Sequence, residues 1–306
     1  MVARAPRQFC PFFSIVTREP LLDPTTLILT LVIGTIGGVF GGLFGIGGGI
    51  VIIPLLTLVQ GSDPHLYQAA SLVAAILVSL GSIPRHIRAR AIEWGFAWRT
   101  IPISIIAVAG GVWISNSITD PVLLERIFAA FLLYVAGAEV WRQVATRSTA
   151  HSTAPSTVPS TARPTALVPE PMPRTGWGPA TIVGTLMGAL AGLLGIGGGV
   201  IAVPLMRTVN GFSLRTTIAT SAFMILPTVI VGMLLKFSTL SHVRSPAGDP
   251  LTITAALWIA SGLAPGAFFG AMVGASFVHK LPARQLAVAF ALLCVALSLR
   301  MLGIAR

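Results

Sequence analysis

Residues 27–59 run for 33 positions without a charged side chain. As one straight helix the stretch would be roughly 50 Å long, against a bilayer hydrocarbon core of about 30 Å. Seven further apolar segments follow, near 68–84, 100–115, 122–141, 178–206, 216–235, 251–275 and 283–302. Runs of 18 or more such residues mark membrane spans. Charged residues make up 9% of the 306 and hydrophobic ones 54%, where a soluble domain carries about 25% charged residues. The expected fold class is all-α, a polytopic integral membrane protein embedded in a lipid bilayer.

The formal net charge of +11 would suggest nucleic acid in a soluble protein. Here it is read as orientation, because Lys and Arg collect in loops held on the cytoplasmic side, and no nucleic-acid partner is expected. The two cysteines, Cys10 and Cys294, offer neither a disulfide framework nor metal spacing. Residues 1–25 hold Arg4, Arg7 and Arg18 around a short apolar patch, Phe9 to Val16, with no small-residue cleavage pattern; they read as a basic tail. No Ser-His-Asp, His-Glu-x-x-His or cysteine pair has a usable spacing, so no enzyme, no cofactor and no metal site is expected.

Inside the first apolar run lies Gly45-Ile46-Gly47-Gly48-Gly49, with Pro54-Leu55 after it. Gly195-Ile196-Gly197-Gly198-Gly199, with Pro204-Leu205, repeats it 150 residues on. In the same register Gly34-Thr35 matches Gly184-Thr185, Gly38 matches Gly188, Gly42 matches Gly192, Ala69 matches Ala219 and Ser71 matches Ser221. Between the halves, 144–176 is dense in Ser, Thr, Ala and Pro and reads as a disordered linker. The expected organisation is a tail at 1–25, a membrane repeat at 26–143, the linker at 144–176 and a second repeat at 177–306. Each repeat would have about four to five helices, its first helix broken by the glycines. Repetition at this scale is a feature of secondary transporters.

Charge bears on the number of crossings. If each glycine-broken segment crosses once, there are eight spans, and the side carrying the termini and linker holds 15 Lys and Arg against 5. If each segment turns back and crosses twice, ten spans divide the same charges 8 and 12. The positive-inside rule favours the first, with termini and linker cytoplasmic and the repeats parallel; ten spans would make them inverted.

Consecutive glycines permit backbone angles closed to other residues and let groups approach the main chain. A helix broken at mid-depth exposes amide N–H groups at a half-helix N-terminus, with positive dipole character, and can hold an anion without a buried cation. Gly47, Gly48, Gly49, Gly197, Gly198 and Gly199 are therefore candidate substrate-binding residues. Gly34, Gly38, Gly42 and their counterparts instead have the four-residue spacing of helix packing. A nucleotide-phosphate loop is a poor fit, because no Lys-Ser/Thr follows. Ser71, Thr220 and Ser221 begin the next segments, where their hydroxyls could donate to an anion or cap a helix. Pro54 and Pro204 would end or kink the half-helices, with an indirect role in gating. His86 and Lys236 sit at equivalent span ends, either attracting anions or snorkelling as ordinary flanking charges. Glu139 reads as interfacial, and Trp94, Trp98, Trp177 and Trp258 fit an aromatic belt.

Gly42 to Leu55 with Ala69-Ala70-Ser71, and Gly192 to Leu205 with Ala219-Thr220-Ser221, resemble the paired motifs of the TauE/SafE family of sulfite and organosulfonate exporters. Arg90-Ala91-Ile92-Glu93-Trp94 resembles that family's acid-Trp turn, with Ala91 where glycine is more usual. The resemblance covers nearly all of the chain outside the tail and linker. It implies a secondary transporter of the cell inner (cytoplasmic) membrane, an exporter of a small sulfur-containing anion such as sulfite or an organosulfonate. An anion channel, an importer of another small anion and a non-transporting membrane subunit are the alternatives, and a homo-oligomer is left open.

Overall fold

The computed structural model describes residues 24–61, 63–118, 120–151, 175–241, 243, 251–277 and 283–302. Residues 1–23 of the expected tail and 152–174 of the expected linker lie outside these. The described residues form helices and turns without a strand. The helices are α1 (Pro24–Phe44), α2 (Gly49–Gln60), α3 (Pro64–Arg88), α4 (Trp94–Ser117), α5 (Pro121–His151), α6 (Trp177–Leu194), α7 (Gly199–Val209), α8 (Leu214–Leu240), α9 (Ile253–Phe277) and α10 (Ala283–Met301). Seven are long and apolar enough to cross a membrane. At 12 and 11 residues, α2 and α7 are not, since a span takes about 20. The glycine-broken segments account for the two short helices, and α5 continues to His151 through the first part of the stretch expected to be linker.

The breaks reverse the chain. Gly37 lies against the side chain of Ile52, and Gly41 against the main chain of Gly48, so α2 runs back along α1. The second half repeats this, with Gly198 against the Met187 carbonyl. Positive φ at Gly45, Gly47 and Gly48, and at Gly195, Gly197 and Gly198, supplies the turn. The expectation of one crossing per segment is therefore corrected: three left-handed glycines turn the helix around where the single-crossing reading needed only a kink.

Direction follows from the contacts. In each half a long helix, a short returning helix and a second long helix succeed one another, so α1 and α3 run one way, and α6 and α8 share a direction. The long pair α3 and α8 crosses antiparallel, with His65 beside Lys236 near one end and Ala75 clustered with Ile225 further along. The two five-helix successions are thus opposed, the inverted arrangement of the ten-helix alternative. On this topology the start of α1 and the end of α5 fall on opposite faces, which removes the basis for placing them together.

Packing between the halves is crosswise. Gly34 and Gly38 of α1 sit on the carbonyls of Leu263 and Ala267 in α9, and Gly42 on that of Ala271. In the other half Gly184, Gly188 and Gly192 sit on the carbonyls of Thr100, Ser104 and Val108 in α4. Backbones meet this closely only where a side chain is missing, and in lipid such contact replaces the hydrophobic drive that is lost there. Trp94, Trp98, Trp177 and Trp258 are exposed on the outer surface.

Two adjacent glycines of α4 separate packing from propensity. Gly111 abuts the Ala189 carbonyl, and a Cβ there would lie 2.9 Å from the Leu193 nitrogen, whereas Gly110 faces open space. Gly111→Ala is expected to cost about 1–3 kcal/mol through overpacking, and Gly110→Ala to be neutral or stabilising by up to about 1 kcal/mol. Thermal unfolding of the two variants in detergent checks the contrast.

Candidate functional site

The two hairpin tips meet. A Cβ on Gly47 would stand 3.2 Å from the Ile196 carbonyl oxygen and 3.5 Å from the Gly197 Cα. Gly49 faces the Gly195 carbonyl and Gly199 the Gly45 carbonyl. Both breaks are buried. Beyond them α2 starts at Gly49 and α7 at Gly199; the Val51 and Ile201 amides already donate to the Gly48 and Gly198 carbonyls, which leaves the first two amides of each helix without an acceptor in that helix. Two half-helix N-termini thus converge with their positive dipole ends toward one buried region. The six candidate glycines, Gly47–Gly49 and Gly197–Gly199, are brought together there.

Ser71 and Ser221 hold the tips crosswise. The Ser71 hydroxyl donates to the Gly195 carbonyl of the opposite half at 2.7 Å, and that of Ser221 to the Gly45 carbonyl at 2.8 Å. Each is also within reach of a carbonyl of its own helix, that of Gln68 or Ile218. Both serines are fully buried, and each shares its one hydroxyl hydrogen between a tip carbonyl and a carbonyl of its own helix. Thr220, also buried, accepts from the Glu93 amide at 3.0 Å, tying the turn before α4 to α8 beside the Trp94–Phe223 ring contact. Pro54 and Pro204 lie within α2 and α7, which continue past them to Gln60 and Val209. They do not end these helices.

Lys236 is 1% exposed, so it does not reach out to a surface as a snorkelling residue would. Its ammonium meets His65 Nδ1 at 3.0 Å, Ser115 Oγ at 3.1 Å and Asn116 Oδ1 at 2.8 Å. From there a chain of side chains runs inward. Ser115 donates to Gln68 Oε1 at 3.0 Å, and Gln68 Nε2 donates to the Leu193 carbonyl at 3.0 Å, one turn before the second tip. His86, the offset counterpart of Lys236, is also buried, at the far end of α3. It is not brought to the tips. Glu139 lies in α5, but its side chain is outside the described residues.

Residue-by-residue reading did not single out His65, Gln68, Ser115 or Asn116. The register shift of 150 held a signal for two of them, because His65 aligns with Arg215 and Gln68 with Ile218. The fold thus tolerates an apolar residue at the place of Gln68, and the polar chain is built on one side only. A second buried pair, Ser104 Oγ and Thr228 Oγ1 at 2.7 Å, joins α4 to α8.

The profile of the family described as "Sulfite exporter TauE/SafE" matches residues 30–301. The "Probable membrane transporter protein MamO" of Paramagnetospirillum magneticum is 28% identical over 84% of this chain and 41% of its own length. A "Probable membrane transporter protein" of Haemophilus influenzae is 29% identical over 84% of this chain and 90% of its own. One of Methanocaldococcus jannaschii is 26% identical over 63% and 66%. The chain thus spans about two fifths of the length of the MamO protein. No solved structure matches it.

The crosswise serines give a direct test of tip pinning. Ser71→Ala and Ser221→Ala each strand a buried carbonyl and are expected to cost about 1–3 kcal/mol. Ser261→Ala, where an exposed hydroxyl bonds only its own helix at Trp258, should leave the unfolding temperature unchanged in the same detergent melts.

Proposed function

The chain belongs to the TauE/SafE family of membrane transporters, and from that premise we propose that it exports a small sulfur-containing anion, sulfite or an organosulfonate, across the cytoplasmic membrane. The observation that carries this reading is the convergence of the two tips, with α2 and α7 directing their N-terminal ends into one buried region. Oxyanions suit such a place, because backbone N–H groups supply donors and the helix dipoles supply positive potential. Gly47–Gly49 and Gly197–Gly199 would line the site. Ser71, Ser221 and Thr220 would hold its walls, with Pro54 and Pro204 shaping the half-helices behind it.

Two opposed halves meeting at a buried site suit alternating access by rocking of one half against the other. Lys236 and His86, at opposite ends of the α3–α8 pair, would draw anions toward the tips from either face. With both hairpins turned back, the face of the α3–α4 and α5–α6 connections carries 12 Lys and Arg and the other face 8. By the positive-inside rule the face at the end of α5 would be cytoplasmic and the face at the start of α1 would not.

The test is flux. Labelled sulfite or isethionate is expected to accumulate in inverted vesicles containing the protein. Gly48→Leu combined with Gly198→Leu should lower that accumulation at least about tenfold, since each side chain would enter a left-handed turn against a carbonyl. Gly110→Leu, on the open face of α4, should retain the flux at matched protein levels. Unchanged accumulation in the Gly48/Gly198 pair would remove the tips from the pathway.

A further inference from the structure

The hydrogen bonds around Lys236 fix where protons stand. His65 Nε2 lies 3.1 Å from the Ile118 carbonyl, which can only accept, so Nε2 carries a hydrogen and Nδ1 faces Lys236 as an acceptor. Ser115 gives its hydrogen to Gln68 and receives from Lys236. Asn116 accepts through Oδ1 while its Nδ2 donates to Thr239 Oγ1 at 2.7 Å. Three acceptors for three hydrogens describe an ammonium. Moving one proton to Nδ1 gives an equally bonded imidazolium facing a neutral amine, so the pair holds one positive charge in either form. With that proton gone, two lone pairs face each other across 3.0 Å, and one hydrogen bond is lost.

The charge has no countercharge among these partners, which are all neutral. A buried charge without one is costly. Among the described residues, the elements around Lys236 present no ion pair to it: α4 offers Ser115 and Asn116, α3 offers His65, and Leu251 and Ala256 cover the Leu240 end. The Asp120 carboxylate beyond Ile118 is directed to the Val122 amide, in an exposed turn. Asp63, which precedes α3, and Glu125 of α5 have interactions of their own, and both act on Tyr67. The route out of the cluster leads through Ser115 and Gln68 to the Leu193 carbonyl and the second tip.

We infer that Lys236 and His65 form a one-proton site linked to anion occupancy at the second hairpin tip, so that the anion is taken up together with a proton. This rests on the reading that an anion occupies the tips. The anion supplies the missing countercharge; the proton comes from water and returns to it when the anion leaves. Binding of one and binding of the other then favour each other equally.

Isethionate is a suitable probe, because its sulfonate stays ionised and carries no proton of its own at any working pH. Calorimetric titration of the full chain in buffers of different ionisation enthalpy counts protons taken up per isethionate bound. Over about pH 5 to pH 9, uptake is expected to rise toward one with pH, and affinity to fall by about tenfold per pH unit once the unliganded pair has lost its proton. Lys236→Gln, or Lys236→Met if the amide is not tolerated, should abolish the uptake. Binding without proton uptake across that range, or the same uptake in both variants, overturns the inference. If isethionate does not bind, the organosulfonate reading fails, and the proton site is judged from the imidazole 15N resonances of His65. Lys236→Gln should change their titration, and an unchanged titration removes the pair.

Discussion

A chain that leaves the helix inside an apolar interior must find partners there for its amides and carbonyls, because lipid offers none. Each hairpin tip finds them on the other half. Ser71 reaches the Gly195 carbonyl and Ser221 the Gly45 carbonyl, an exchange that works only because α3 and α8 cross antiparallel and carry each serine to the opposite break. The glycine faces of α1 on α9 and of α6 on α4 bring the helices close enough for the exchange. Remove one half, and the other keeps a turned backbone with an unanswered carbonyl.

The membrane class and the pairing of the glycine blocks were legible in the sequence, since hydropathy and a constant register are local properties of the string. Topology was less so. Charge counts depend on which face each loop occupies, and they shift entirely on whether a 12-residue helix returns along its predecessor. That return is set by φ at Gly45, Gly47 and Gly48, which the residue type permits but does not dictate. The glycines signalled a break; the angle of the break was decided by tertiary contact with Ile52 and with the opposing tip.

The same limit applied to the polar residues. Lys236 looked like a flanking charge because it ends an apolar run, but α8 continues to Leu240, and the first turn of α3 and the last of α4 close over it. Ser115 and Asn116, at the end of α4, and Gln68, near the start of α3, belong to no motif. Only folding gathers them. His65 and Gln68 were visible in principle as breaks in the internal register, where one half has side chains that hydrogen-bond in the interior and the other has Arg215 and Ile218.

The crosswise packing has a consequence for synthesis. The hairpin of α1 and α2 enters the bilayer early, yet α9, on which α1 rests, and Ser221, which answers its tip, are made only after most of the chain has followed. During that interval a sharply turned backbone stands in the membrane with its permanent neighbours still unmade. Long-range partners of this kind are slow to meet. The nascent first half therefore needs temporary company at its tip, from water, lipid headgroups or the insertion machinery, until the second half arrives to displace it.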